Sequence, residues 1–209
     1  MIVIWILAFA IAITIHEASH AWMADRLGDP TPRLTGRLSL NPLVHYDPVG
    51  TTLLLVLAIM RYLGAPVIPF GWAKPVQFDP YNLKNPRRDS ALISLAGPAS
   101  NLILAIVISI FARFSPLLSA IAVPFVILNV ALAIFNLIPV HPLDGGKILV
   151  GILPQREARS VELFLNRYGM VILFLLILPS FGGGSLVSRI ISPTISFFIN
   201  ILLPQVPLV

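Results

Sequence analysis

The chain has no cysteine among its 209 residues. Disulfides and thiolate metal sites are thereby excluded, and any metal must be held by His, Asp or Glu. Charge is also scarce. Asp, Glu, Lys and Arg make up 11% of the sequence, where a soluble domain carries about 25%. No basic stretch is interleaved with aromatics, so the formal charge of +5 does not read as a nucleic-acid surface. In so apolar a chain it marks loops on one side of a membrane. No internal repeat, low-complexity linker or separate soluble domain stands out. The N-terminal apolar run lacks the basic flank of a signal peptide and is expected to stay attached.

What is abundant is hydrocarbon. Hydrophobic residues make up 57% of the chain, with a mean hydropathy of +0.91. The expected fold is an all-α polytopic membrane protein forming a single domain over residues 1–209. Ile2–Met23, Ala91–Phe111, Leu117–Ile138, Val161–Leu178 and Leu186–Leu203 approach the roughly 20 residues that a span requires. Val49–Leu63 falls short and reads as a re-entrant or interfacial segment, which gives about five to six transmembrane helices. One of them is broken at Pro139–Gly146, where two prolines precede two glycines. Pro66–Pro86 is rich in Pro, Gly and Asn. Within it, Val67–Trp72 and Pro75–Phe78 are expected to be a β-like loop, an edge strand at most. Gly182–Gly184 is expected to turn between the last two spans.

Basic residues suggest a topology. Arg26, Arg33, Arg37, Arg61, Lys74, Lys84, Arg87 and Arg88 lie between the first span and Ala91. Lys147, Arg156, Arg159 and Arg167 precede or begin the fifth long run, and only Arg113 and Arg189 remain. If Val49–Leu63 does not cross, the first two groups share one face. The positive-inside rule then places that face in the cytoplasm and the N-terminus outside.

Chemistry is concentrated in a few positions. His16-Glu17-Ala18-Ser19-His20 is an H-E-x-x-H motif inside the first apolar run. Residues i and i+4 share a helix face, so both imidazoles can reach one ion, the spacing zinc requires. Glu17 stands beside them as a candidate general base toward water. Ionisable groups in hydrocarbon are costly and are usually functional. A third ligand is needed. Asp144, at the Pro139–Gly146 break, is the best candidate, and it equally suits a helix N-cap. His141 is a rival ligand or neighbour. His45 and Asp47, in Asn41–Pro48, read as solvent-facing turn chemistry or as support for the site. Asp79, Asp89, Glu157 and Glu162 read as solvated loop charges. Asn101 and Asn129 lie within apolar spans and read as glue between helices, with Gly97 and Ser100 allowing close approach. Asn136, at the end of the fourth span, can donate to an oxyanion.

Taken together, these elements resemble the site-2 protease family of intramembrane zinc metalloproteases, of the compact prokaryotic type, over roughly residues 10 to 150. His16–His20 matches its H-E-x-x-H, Leu143-Asp144-Gly145 its L-D-G, and Gly97–Asn101 its G-x-x-x-N. The resemblance implies Zn2+ on His16, His20 and Asp144, catalysis by Glu17 with Asn136 at the oxyanion, and a transmembrane segment as substrate. It further implies a catalytic core over about residues 1–153, accessory helices over about 161–203, and a multi-pass protein of a prokaryotic cell membrane with its site toward the cytoplasm. Neither the PDZ nor the CBS domain of many relatives is expected within these 209 residues. The alternatives are a non-hydrolytic membrane zinc transporter or sensor, and a structural adaptor in which a buried ionisable set would serve no purpose.

Overall fold

The computed structural model describes residues 2–65, 71–178 and 185–203. Its helices, in chain order, are α1 (Ile2–Leu27), α2 (Thr31–Leu34), α3 (Pro42–His45), α4 (Gly50–Tyr62), α5 (Pro86–Ala112), α6 (Pro116–Asn136), α7 (Asp144–Ile152), α8 (Gln155–Ile177) and α9 (Leu186–Leu202). No β-strand occurs among the described residues. Proline sets many of the helix starts, because its missing N–H costs nothing at a first turn. Asn41 caps α3 ahead of Pro42, and Ser115 caps α6 ahead of Pro116 by accepting from Leu118 N. Asp89 accepts from Asn85 N at the start of α5.

Four helices, α1, α5, α6 and α8, are long and apolar enough to cross a membrane. α9 has 17 residues, about 25 Å, and is shorter than the fifth span expected. α4 has 13 residues, about 20 Å against a hydrocarbon core of about 30 Å. That length agrees with a segment that does not cross. Of the expected β-like segment, residues 66–70 lie outside the described residues, as does the Gly182–Gly184 turn. Residues 71–79 form a loop without strand pairing.

α5 is the central helix, packed against α1, α6 and α7, with α9 against α6 and α8 against α7. Small residues allow this. Ala8, Ala12, Ala21 and Ala24 of α1 are fully buried, and backbones close together gain dispersion contacts that lipid cannot supply. A second cluster joins Ala105 and Ala112 of α5 to Ala122, Val126 and Val130 of α6 and Ile199 of α9.

The loop after α1 is held by a carboxylate that its sequence did not single out. Asp29, fully buried, accepts from Thr31 N and Oγ1, Asp79 N and Asn82 Nδ2 at 2.6–3.1 Å. Asp89 is also buried. It is not the solvated loop charge expected, because its carboxylate closes the first turn of α5. Burial alone would raise the Asp29 pKa, but hydrogen bonds from Thr31, Asn82 and the Asp79 backbone outweigh it and hold the group below its ordinary 3.8. The stabilisation is therefore complete above that value and is lost as pH falls through the lower folded-state value. Asp29→Ala is expected to cost about 2–4 kcal/mol at neutral pH, read from thermal unfolding in detergent. The difference from wild type should shrink below about pH 4.

Candidate metal centre

The two histidines of the α1 motif lie one turn apart, with perpendicular rings 4.6 Å between centroids. Both are buried. Each ring is held at Nδ1 by α5: His16 Nδ1 is 2.6 Å from Asn101 Oδ1, and His20 Nδ1 is 2.7 Å from the Ile93 carbonyl. As α1 runs from residue 16 to 20, its partners on α5 run from 101 back to 93, so the helices are antiparallel. Gly97 lies between those partners. A Cβ there would sit 2.4 Å from His20 Nε2 and 2.7 Å from His16 Cε1. Only glycine lets α5 lie against both imidazoles.

The third group arrives from α7. α6 ends at Asn136 and α7 begins at Asp144, so residues 137–143 form the expected break. The N-cap position of α7 is Leu143, and Asp144 is the first residue of the helix. Its Oδ2 lies 3.1 Å from His16 Nε2 and 3.2 Å from His20 Nε2. The ligand atoms of these three residues lie within 4.8 Å of one another, and no other such group occurs among the described residues.

The proton inventory decides what this point can hold. A backbone carbonyl only accepts, so His20 Nδ1 must carry a hydrogen toward Ile93. The same follows for His16 if Asn101 presents its oxygen. Each neutral ring then directs an Nε2 lone pair at a carboxylate oxygen. Acceptors facing one another repel; a proton on one ring relieves one of these contacts and leaves the other, whereas a metal cation satisfies all three groups at once. Two imidazole nitrogens and one carboxylate are also the ligand set of a catalytic zinc. Zinc bonds of about 2.0–2.1 Å set tetrahedral edges near 3.3 Å, close to the observed separations. The residues fit zinc.

Glu17, next to His16, is held from outside the helix: its Oε2 accepts from Val76 N at 2.9 Å. The loop carrying Val76 is anchored on both sides, by Lys74 N to the His45 carbonyl (2.9 Å) and by Asp79 N to Asp29 Oδ2 (2.7 Å). Lys147 of α7 places Nζ 4.6 Å from the Phe78 ring centroid, tying the same loop to the helix that supplies Asp144.

The match with known proteins follows this geometry. The model of peptidase family M50 matches residues 4–117 and 116–178. The chain belongs to peptidase family M50, the site-2 proteases. YwhC of Bacillus subtilis is 34% identical over 190 residues, covering 85% of this chain and 81% of the relative. Rip2 of Mycolicibacterium smegmatis is 30% identical over 180 residues, covering 84% and 67%. Both carry zinc-metalloprotease names. Stage IV sporulation protein FB of Bacillus subtilis is 26% identical over 155 residues, covering 72% of this chain and 53% of the relative. No solved structure matches the chain. This M50 peptidase is an integral membrane zinc metallopeptidase, and the transporter, sensor and adaptor readings give way to it.

Other residues singled out by sequence fall elsewhere. His141 is not in the metal group; its backbone packs on α8, where a Cβ on Gly169 would lie 2.6 Å from the His141 carbonyl oxygen. Asp47 performs turn chemistry as expected, accepting from Val49 N and Gly50 N at the head of α4. Of the two readings of His45, the solvent-facing one is a correction: it is only 1% exposed, its Nε2 bonds the Ser39 carbonyl, and its own carbonyl takes the Lys74 amide of the loop that holds Glu17. Asn136 donates from Nδ2 to Leu132 O within its own helix. Sequence reasoning missed Val76, whose contribution is a backbone N–H and leaves no mark in residue type. It undervalued Asn101 as well. Gly97 and Asn101 repeat the four-residue spacing of His16 and His20 on a facing helix, and that matched spacing was the available signal. Gly97→Ala is expected to weaken zinc binding by roughly 10–100-fold, measured by competition with a chelator on the detergent-solubilised protein.

Proposed function

We propose that this membrane metallopeptidase cleaves peptide bonds in or near transmembrane segments of other membrane proteins, as in regulated intramembrane proteolysis. The observation that carries the reading is the convergence of His16 Nε2, His20 Nε2 and Asp144 Oδ2 beside Glu17, within helices of membrane-spanning length. In this reading His16, His20 and Asp144 hold Zn2+. Zinc there supplies a Lewis acid and brings the pKa of water toward about 7.

Glu17 acts as the general base. It takes one proton from the attacking water as the oxygen bonds to the scissile carbonyl carbon, and delivers it to the leaving amine as the C–N bond breaks. The Val76 N–H holds its carboxylate in one orientation between these transfers. Asn136 donates to the developing oxyanion; its Nδ2 has two hydrogens, and the Leu132 carbonyl takes one. A helical substrate must unwind locally, since its scissile carbonyl is otherwise engaged in the helix's own hydrogen bonds.

The catalytic core is assigned to about residues 1–153, with α8 and α9 as accessory helices of one domain, residues 1–209. The distribution of basic residues supports a site toward the cytoplasm, and the bacterial relatives support a prokaryotic cell membrane. Glu17→Gln is expected to abolish cleavage of a transmembrane substrate in proteoliposomes while leaving zinc affinity unchanged. Cleavage at the wild-type rate would remove Glu17 from the mechanism. Val76→Pro deletes the donor to Glu17 and should lower kcat roughly 10-fold or more with zinc retained, measured in the same assay.

A further inference from the structure

Two buried asparagines remain that the proposed mechanism does not use as reacting groups. Asn101 on α5 and Asn129 on α6 are both 0% exposed. Asn101 Nδ2 lies 2.9 Å from the Ala12 carbonyl and 2.7 Å from Asn129 Oδ1. Asn129 Nδ2 lies 2.8 Å from the Phe125 carbonyl. Asn101 Oδ1 lies 2.6 Å from His16 Nδ1.

An amide presents two hydrogens on one end and lone pairs on the other, and the two ends are told apart only by their partners. Here the partners leave one assignment. The Phe125 carbonyl only accepts, so Asn129 turns its NH2 there and its oxygen toward Asn101. Ala12 and Asn129 both present oxygen to Asn101, which spends both hydrogens on them. Asn101 therefore has only oxygen left for His16, and His16 must be protonated at Nδ1. Its Nε2 lone pair is then directed at the point shared with His20 and Asp144. His20 needs no such chain, since the Ile93 carbonyl sets it directly.

We propose that Asn129 is a positioning residue that sets the tautomer of His16 from two side chains away, through Asn101, and so keeps the site competent for metal. The proposal rests on His16 being a zinc ligand, as proposed above. Without the Asn129 oxygen, Asn101 keeps only the Ala12 anchor. Reversal of its amide, which turns Oδ1 toward the Ala12 carbonyl, is then opposed by one contact instead of two; the reversed form presents NH2 to His16 Nδ1 and moves the imidazole proton to Nε2, where it blocks the metal. In an apolar bundle no water competes to restore the order.

The test uses the full chain in detergent, with zinc alone as the probe, and two readouts. The first is the ring 15N shifts of zinc-free protein, with His16 assigned by its loss in His16→Gln. The second is zinc affinity by chelator competition. Wild type should show His16 protonated at Nδ1. Asn129→Leu should populate the Nε2–H form and weaken zinc binding roughly 10–100-fold. Asn129→Asp keeps an oxygen acceptor toward Asn101 Nδ2 and should restore both readouts to near wild type. Wild-type His16 protonated at Nε2 would overturn the proposal with no variant needed, even if Asn129→Leu fails to fold. So would an Asn129→Leu protein with unchanged tautomer, whether or not zinc affinity falls, or an Asp variant as impaired as the Leu variant. Neither readout depends on cleavage, so a failure of the Glu17 mechanism leaves this result intact. Conversely, normal zinc affinity in His16→Gln would remove His16 as a ligand and sink the metal assignment itself.

Discussion

A backbone carbonyl can accept a hydrogen bond but never donate one. Asn101 and Asn129 are fully buried, so solvent does not take over there when a partner is wrong. The carbonyls of Ala12, Ile93 and Phe125 are therefore fixed points, and the proton positions in the metal centre follow from them. His20 is set in one step and His16 through two amides. The result is two imidazole lone pairs and a carboxylate oxygen aimed at one place. That arrangement suits a divalent cation, which satisfies all three groups at once.

The packing around this point serves the same end. α1, α5 and α7 must approach closely enough for short side chains to meet, and α5 must supply partners while leaving room for the rings. Gly97 provides the room, and the alanines of α1 and α5 allow the approach. The break between α6 and α7 lets a carboxylate enter the bundle at the head of a new helix. The 71–79 loop closes the arrangement by pinning Glu17 through the Val76 N–H, with anchors at His45 and Asp29.

Much of this was legible in the residues. An all-α membrane fold follows from hydrocarbon content and run length alone. The helix break follows from Pro139, Pro142, Gly145 and Gly146. His16, Glu17 and His20 announce themselves by spacing, because a helix converts a four-residue interval into a shared face. Asp144 was less determinate. A carboxylate at a helix start suits a cap and a ligand equally, and the sequence does not show that its Oδ2 lies beside both Nε2 atoms. The exposure of His45 and Asp89 was misjudged for a related reason: a polar residue in a turn reads as exposed unless one knows which backbone groups surround it.

Sequence by itself determined the class of protein, the pair of histidines and the chemistry available, because these depend on composition and on local helical periodicity. Tertiary structure alone decided which oxygen lies beside both histidines, which backbone amide holds Glu17, and which groups Asn101 and Asn129 join. Those depend on which groups from distant parts of the chain meet. A hydrogen bond between residues 16 and 101, or 101 and 129, has no periodicity along the chain to betray it. It exists only once α1, α5 and α6 are packed together.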